Sequence, residues 1–146
     1  MSSSINLIVP VDCVDAYSAL KKRTYRYIIF TYKFSGDNNQ QLMTKILSCV
    51  PRISNNSNDN SRENILNQNA SDFKNFKNDI TKQECCWGIY DYDYMKSDII
   101  QSRIIFFTWS KDDINIREKF THAAATISAQ NIFQTPCTIQ CNGLDD

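Results

Sequence analysis

The sequence predicts one α+β domain in which a central mixed β-sheet carries helices on both faces. Three observations lead to this prediction. The chain has 146 residues, which suffices for one hydrophobic core and is too short for two. Segments with helical spacing of apolar residues alternate with segments rich in β-branched and aromatic residues. The near-continuous apolar run at 104–107 is typical of a central strand covered on both faces.

The first third of the chain predicts a helix followed by a β-hairpin. Residues 14–22 have apolar side chains three positions apart, and Asp12 is the expected N-cap of this helix. Residues 25–34 are rich in β-branched and aromatic side chains and predict a strand. Turn-forming residues at 35–39 lead to a second strand at 41–50, for which a helix is an open alternative because the apolar spacing also fits one.

The middle of the chain changes in composition. Asparagine and serine dominate residues 51–71, and we expect an exposed, mobile insertion there within the single domain 1–146. Residues 72–80 return to helical spacing. Two further strands are predicted at 85–92 and 102–109.

The longest predicted helix spans residues 114–133. Asp112 or Asp113 is its expected N-cap, and Pro136 follows its end. Its apolar residues form a narrow stripe that consists of Ile116, Phe120, Ala123, Ala124, Ile127 and Ile132. A short last strand is expected at 138–140, which completes a sheet between helical layers.

Charge and composition argue against several classes of protein. Sixteen basic and sixteen acidic residues give a net charge of zero, so nucleic-acid or membrane binding would need a local patch, and the basic run at 21–23 is too short to predict one. The start of the chain does not resemble a secretory leader, and no stretch has the ~20 apolar residues of a membrane span. We expect a cytosolic monomer with reduced, mostly buried cysteines, no nucleic-acid partner and no membrane insertion.

No catalytic or metal site is predicted. The chain has only three glycines and no phosphate-binding loop. Adjacent Cys85 and Cys86 point to opposite faces of a strand and cannot both bind one metal ion, whereas Asp91 and Asp93 share a face. A thiol–imidazole pair of His122 with either cysteine is the enzymatic alternative, but no accompanying acid and oxyanion donors are evident. We therefore expect a protein that is not an enzyme and needs no cofactor.

Five segments of the sequence are each a weak signal alone, but their occurrence together and in this order is specific. They are Tyr-Arg-Tyr-Ile-Ile-Phe at 25–30, Tyr-Asp-Tyr-Asp-Tyr at 90–94, the strand at 102–109 that ends in Trp109 and Ser110, Ile-Arg-Glu-Lys-Phe at 116–120, and the final segment 140–146. Together they resemble the ADF/cofilin family of actin-binding proteins over nearly the whole chain except 51–71. The resemblance implies the fold described above, in the form of a single ADF-homology domain.

The resemblance also implies two binding surfaces for actin. The residues that match the family's actin-monomer contact are Ser4, Ile5, Arg117, Lys119, Phe120 and Ala123. Arg103 matches one of the cations that contact filaments. The family's regulatory serine corresponds to Ser2, Ser3 or Ser4, where a phosphate would repel an acidic partner surface.

Several positions depart from the family pattern. His122 replaces a tyrosine, Thr126 replaces a lysine, and Gln130 and Asn131 stand where the family has basic residues. Gln101 replaces another cation of the filament surface. We therefore expect actin monomers, in the ADP form, to be preferred over filaments, severing to be weak, and strong phosphoinositide binding to be absent. The alternative is the same fold with another partner in the actin cytoskeleton, either a branched-filament nucleator or the side of a filament.

Overall fold

The computed structural model describes residues 6–35, 41–53 and 62–141. Within these ranges the elements follow in the order β1 (Leu7–Ile8), α1 (Val11–Lys21), β2 (Tyr25–Ser35), β3 (Gln41–Pro51), α2 (Arg62–Ile80), β4 (Cys85–Lys96), β5 (Ile99–Ser110), α3 (Ile116–Phe133) and β6 (Cys137–Cys141). The predicted α+β class is confirmed. Of the predicted turn at 35–39, only Ser35 belongs to the described residues.

The described strands form a six-stranded sheet in the order β1-β3-β2-β4-β5-β6. The inner strands β3, β2, β4 and β5 pair antiparallel, whereas the short outer strands β1 and β6 pair parallel with β3 and β5. The predicted mixed sheet is therefore confirmed. Residues 41–50 form a strand that pairs with β2 along its length, so the helical alternative for this segment is rejected.

Helices cover both faces of the sheet, as predicted. On one face α1 and α3 pack over Phe30, Trp87 and Phe106, and on the other α2 packs over Tyr90 and Phe107. None of the described helices is both long enough and apolar enough to cross a bilayer. Of the six cysteines, Cys13 and Cys86 are buried and the other four are half-buried.

A close approach of α2 to β4 depends on Gly88. A Cβ at this position would lie 2.5 Å from two ring atoms of Phe76, a distance at which the atoms would overlap. The glycine therefore lets the Phe76 ring lie directly on the strand, where it also contacts Tyr27 and Tyr90 with ring centroids 5.1 and 5.2 Å away.

The predicted N-cap of α1 is wrong. The helix begins at Val11, and Pro10 occupies the N-cap with extended backbone angles, φ −61° and ψ 161°. The Pro10 carbonyl accepts the backbone hydrogen bond of Val14 at 3.3 Å. Asp12 lies inside the first turn instead, where its Oδ1 accepts a hydrogen bond from Cys13 N.

The predicted insertion at 51–71 is wrong for most of its length. β3 extends to Pro51, and α2 begins at Arg62 rather than at residue 72. The additional helical turns were missed because two of the buried positions of α2 carry polar residues, Asn69 and Asp72, which find hydrogen-bond partners in the sheet. Residues 54–61 lie outside the described part of the chain.

Candidate functional site

Helix α3 begins at a side-chain cap that the sequence did not reveal. Asn115 has extended backbone angles, and its Oδ1 accepts a hydrogen bond from Glu118 N at 2.8 Å. The prediction that Asp112 or Asp113 caps α3 is therefore wrong. The two aspartates precede the helix by three residues or more, and the Asp112 carbonyl oxygen accepts a hydrogen bond from Lys119 Nζ at 2.7 Å.

The solvent-facing side of α3 carries an apolar ridge. We define the α3 ridge as Ile116, Phe120, Ala123 and Ile127, whose spacing of four, three and four residues aligns them along one side of the helix. Ile116 is 70% exposed, Phe120 69% and Ile127 38%. The apolar stripe found in the sequence thus faces solvent over most of its length, because Ile132 is exposed as well.

The side of α3 that packs on the sheet consists of small and polar residues. Its buried members are His122, Ala125, Thr126, Ala129 and Phe133. The alanines let the helix backbone approach the strands closely. The ring of Phe133 lies against Phe30 at the end of the helix, with ring centroids 5.2 Å apart.

A hydrogen-bonded network lies beneath the α3 ridge. Trp87 Nε1 donates to Thr126 Oγ1 at 2.8 Å, and the Thr126 hydroxyl donates to the His122 carbonyl at 2.6 Å. His122 Nε2 pairs with Thr108 Oγ1 at 2.8 Å. Burial lowers the pKa of His122 from 6.5 to about 4, so the imidazole is neutral near pH 7. The network fixes the height and rotation of α3 on the sheet.

The two predicted cations lie on the first turn of α3, and both are exposed. Lys119 points towards the loop before the helix, where it bonds to Asp112. Arg117 lines a groove between α3 and the end of β2, together with Glu118 and the half-exposed Phe34. Arg117, Lys119, Phe120 and Ala123 are all exposed on α3, but the two cations line separate grooves, Lys119 together with Ala123 on one flank of the helix and Arg117 on the other.

The N-terminal residues Ser2, Ser3, Ser4 and Ile5 lie outside the described residues. The described part of the chain begins at Asn6. The Asn6 carbonyl accepts a hydrogen bond from Leu42 N at the start of β3. That end of the sheet is also where β2 ends, and Tyr32 of β2 stacks on His122 of α3 with ring centroids 5.8 Å apart. Asn6 thus enters the fold at the end of the sheet nearest the start of α3.

Arg103 belongs to a different part of the surface. It is exposed on β5, opposite Tyr92, in the half of the β4–β5 hairpin that extends beyond the pairing of β4 with β2. Arg103 is seven residues before Ser110, which places it roughly 23 Å away at 3.3 Å per residue. The two surfaces implied by the resemblance are therefore separate.

A buried ion cluster at the base of the β4–β5 hairpin was missed in the sequence. Arg26 donates to Asp72 at 3.0 Å and to Asp93 at 2.9 Å, and Arg52 donates to Asp91 at 2.6 Å. Burial alone would raise the pKa of Asp93, but hydrogen bonds from Arg52, Ser102 and Arg26 lower it well below its usual range.

This ion cluster ties the hairpin to α2 and β3. Asp91 and Asp93 do share a face, as predicted, and their role is to pair with arginines. The detectable signal was Arg26, a charged residue between two aromatic residues of a core strand, which requires a buried acidic partner. The sequence does not identify Arg52 and Asp72 as its companions, because Arg52 lies within the predicted insertion 51–71 and Asp72 directly follows it.

The arrangement of thiols and imidazole does not favour nucleophilic chemistry. Burial raises the pKa of Cys85 to about 11 and raises that of Cys86 further, which keeps both thiols protonated near pH 7. His122 Nε2 is bonded to Thr108 rather than to a thiol. Among the described residues, no group of three or more His, Cys, Asp or Glu side chains could hold a metal ion.

Comparison with known proteins relates the whole described chain to a family. The family model described as cofilin/tropomyosin-type actin-binding protein matches residues 6–146. The chain belongs to the ADF/cofilin family. Actin-depolymerizing factor 2 of Petunia hybrida is 27% identical over 126 residues, which cover 85% of this chain and 73% of that protein. Cofilin of Schizosaccharomyces pombe is 22% identical over 128 residues, which cover 86% of this chain and 75% of that protein.

Solved structures share the fold of this chain. Actin depolymerization factor 2 of Plasmodium berghei superposes with a TM-score of 0.63 at 23% identity, over 99% of this chain and 91% of that one. The low identities agree with a divergent member of the family. ADF/cofilin proteins are actin-binding proteins rather than enzymes, so membership of the family identifies actin as the partner to consider.

Proposed function

We propose that this chain binds actin monomers through the exposed side of α3 and regulates filament turnover without catalysing a reaction. The observation that carries the proposal is the α3 ridge, an aligned set of exposed apolar side chains with Arg117 and Lys119 beside its first turn. Aligned exposed apolar residues typically mark interaction sites. Actin is the partner that membership of the ADF/cofilin family supports.

Each residue of the proposed site has a distinct role. Phe120 and Ala123 supply apolar contact area, and Arg117 and Lys119 reach towards polar or acidic groups at its edge. Ser4 and Ile5 add the N-terminal part of the contact. The entry of Asn6 at the end of the sheet nearest α3 supports this part of the proposal.

The filament surface is proposed to be weaker than the monomer surface. Arg103 is its cation, while Gln101 on the same strand is uncharged. We therefore expect monomers, preferentially with bound ADP, to be favoured over filaments, and severing to be weak. Phosphorylation of Ser2, Ser3 or Ser4 would add negative charge next to the monomer contact and weaken it. The proposed location is the cytoplasmic actin cytoskeleton, with the protein acting as a monomer.

Titration of labelled actin monomers, loaded with ADP or with ATP, tests the proposal directly. Saturable binding with slower nucleotide exchange is expected, and it should be stronger for the ADP form. Sedimentation with filaments should leave most of the protein in the supernatant. Absence of saturable binding to either monomer form would refute the proposal, and stoichiometric filament binding with visible fragmentation would refute its preference for monomers.

A pair of charge-matched variants tests the assigned surface. Ala123→Glu places a carboxylate in the middle of the α3 ridge, at an exposed helical position that tolerates it. Asn75→Glu adds the same carboxylate at an exposed position of α2, on the other face of the sheet. The first variant should lose monomer binding and the second should retain it. Equal binding by both variants would exclude the α3 ridge as the contact.

A further inference from the structure

The two open edges of the described sheet differ in how they are protected. Beyond Met43 no described strand pairs with the outer side of β3, and no described strand lies on the outer side of β6. β3 carries an exposed lysine, Lys45, a bulge at Leu47 and a proline at its end, Pro51. Charge, bulges and proline all hinder the addition of another strand, so the edge of β3 is protected.

The edge of β6 lacks this protection. Its residues, Cys137–Cys141, include no charged side chain and no proline, and they pair with β5 without a bulge. The three central residues are exposed, and Ile139 among them is 40% exposed. An open edge of this kind presents backbone donors and acceptors to which an extended chain can add as a further strand.

A groove of about 600 Å³ lies between β6 and α3. Gln140 of β6 pairs with Thr108 of β5, whose hydroxyl bonds to His122 of α3. Directly paired residues point to the same face of a sheet, and Gln140 and Thr138 accordingly line the groove. A strand added to β6 would direct every second side chain into the groove, which is how strand addition gains specificity for side chains.

The groove carries an excess of positive charge at one end. Lys111, Asp112 and Lys119 line it there, next to Ser110, so two cations face one carboxylate. Most of the remaining lining consists of hydroxyl and amide side chains. The groove therefore favours an acidic side chain over a basic one.

We propose that the outer edge of β6 binds an extended acidic segment of a partner protein by strand addition, with a carboxylate side chain in the groove beside Lys111. A second copy of the chain is a poorer occupant, because β6 itself has no acidic residue to place beside the lysines. The inference goes beyond the proposed function, and its test requires no actin.

Titration of a synthetic peptide tests the inference. The probe is the fluorescein-labelled peptide Ser-Thr-Val-Glu-Val-Thr-Ser, whose sequence reads the same in both directions and so permits either direction of pairing. Fluorescence anisotropy with the full chain should show saturable binding with a dissociation constant below about 1 mM. Absence of saturable binding up to that concentration would overturn the inference.

N-methylated peptides test the backbone pairing. In an added strand the N–H groups of alternate residues point to β6 and those of the others point to solvent. One peptide is methylated on the nitrogens of its two valines, and the other on those of its two threonines and the glutamate. One of them should bind about tenfold more weakly than the unmodified peptide, and the other should stay within about threefold of it. Equal affinities of the two methylated peptides would contradict strand addition.

A charge exchange tests the groove. Lys111→Glu should weaken binding of the acidic peptide by about fivefold or more and should prefer a peptide that has lysine in place of the glutamate. Lys45→Glu makes the same change on β3, at the other side of the sheet, and should leave binding unchanged. Equal losses for the two variants, at unchanged unfolding midpoints, would mean that net charge rather than the groove attracts the peptide.

The oligomeric state tests the choice of occupant. Sedimentation of the unmodified chain alone should show a monomer, and a dimer that the peptide dissociates would assign the β6 edge to a second copy. The outcome for this edge is independent of the outcome for actin. Loss of one binding activity without the other therefore shows which of the two proposals has failed.

Discussion

Lowering the pH from about 7.5 to about 5 should destabilise this protein through one side chain, His122. The imidazole is 5% exposed and is held between the sheet and α3, where Thr108 bonds its Nε2. Within the described residues its Nδ1 has no hydrogen-bond partner, so a second proton there would be buried without an acceptor. The folded state therefore favours the neutral ring.

The expected size of the effect follows from linkage. Burial lowers the pKa of His122 from 6.5 to about 4 in the folded state. A group with a depressed folded pKa contributes stability that is fully present above its unfolded pKa and is lost as the pH falls through the folded one. At 1.36 kcal/mol per pKa unit, the free energy of unfolding should fall by about 2 kcal/mol at about pH 5 and by about 3 kcal/mol below pH 4.

The assay is urea unfolding, followed by tryptophan fluorescence, at half-unit pH steps. Between about pH 6 and pH 5 the unmodified chain should lose about 1 kcal/mol of unfolding free energy per pH unit. His122→Gln keeps a polar side chain next to Thr108 and does not titrate, so its stability should be nearly constant over this interval. The two proteins are compared by the slope of unfolding free energy against pH rather than by their absolute stability, because the substitution also changes packing.

The buried carboxylate of Asp93 does not contribute to the change in this pH interval. The pKa of Asp93 is lowered from 3.8 by its partners, so the stability it contributes is present above pH 3.8 and is lost only at lower pH. Equal slopes for the unmodified chain and His122→Gln between about pH 6 and pH 5 would refute the reasoning. That result would mean that the imidazole is solvated or finds an acceptor when it is protonated.

Three further substitutions test the fold by the same unfolding measurement. Arg26→Leu leaves Asp72 and Asp93 buried without their shared cation and should destabilise the protein by about 3–5 kcal/mol, whereas a loss below about 1 kcal/mol would mean that the cluster is dispensable. Gly88→Ala places a Cβ against the Phe76 ring and should lose about 1–3 kcal/mol, part of which Phe76→Leu should restore in the double variant. Gln134→Gly relieves the left-handed backbone (φ 50°) that ends α3 and should add about 0.5–1 kcal/mol, a gain that should vanish if the helix frays there.

The strands could be predicted from the sequence because their signals are local. Residues 25–34 and 104–107 combine β-branched and aromatic side chains over lengths that suit strands, and both segments lie in the sheet as expected. The mixture of parallel and antiparallel strand pairs follows from helical connections between some strands and short turns between others. These features need no knowledge of which residues meet across the fold.

The ion cluster and the extent of α2 could not be predicted in this way, because they depend on contacts far apart in sequence. Asn69 is a helix-interior residue whose Oδ1 accepts a hydrogen bond from Asp93 N, 24 positions later. Arg26 and Asp72 are 46 positions apart and meet only when α2 crosses β2. Taken alone, polar residues such as Asn69 and Asp72 indicate an exposed loop. A pattern of apolar spacing contains no information about the distant partner that makes their burial favourable.

Helix α3 shows most clearly that an apolar stripe at helical spacing can lie on the side that faces solvent. The apolar residues of the stripe repeat at helical spacing, which normally marks the face that packs on a core. In this protein that face is exposed, and the sheet instead receives His122, Thr126 and two alanines. Such an inversion lowers stability, because polar groups must be buried and apolar groups stay in water, unless a partner covers the exposed face. A conflict between local pattern and fold is expected where a surface is selected for binding, so the inversion supports the proposal that α3 is an interaction surface.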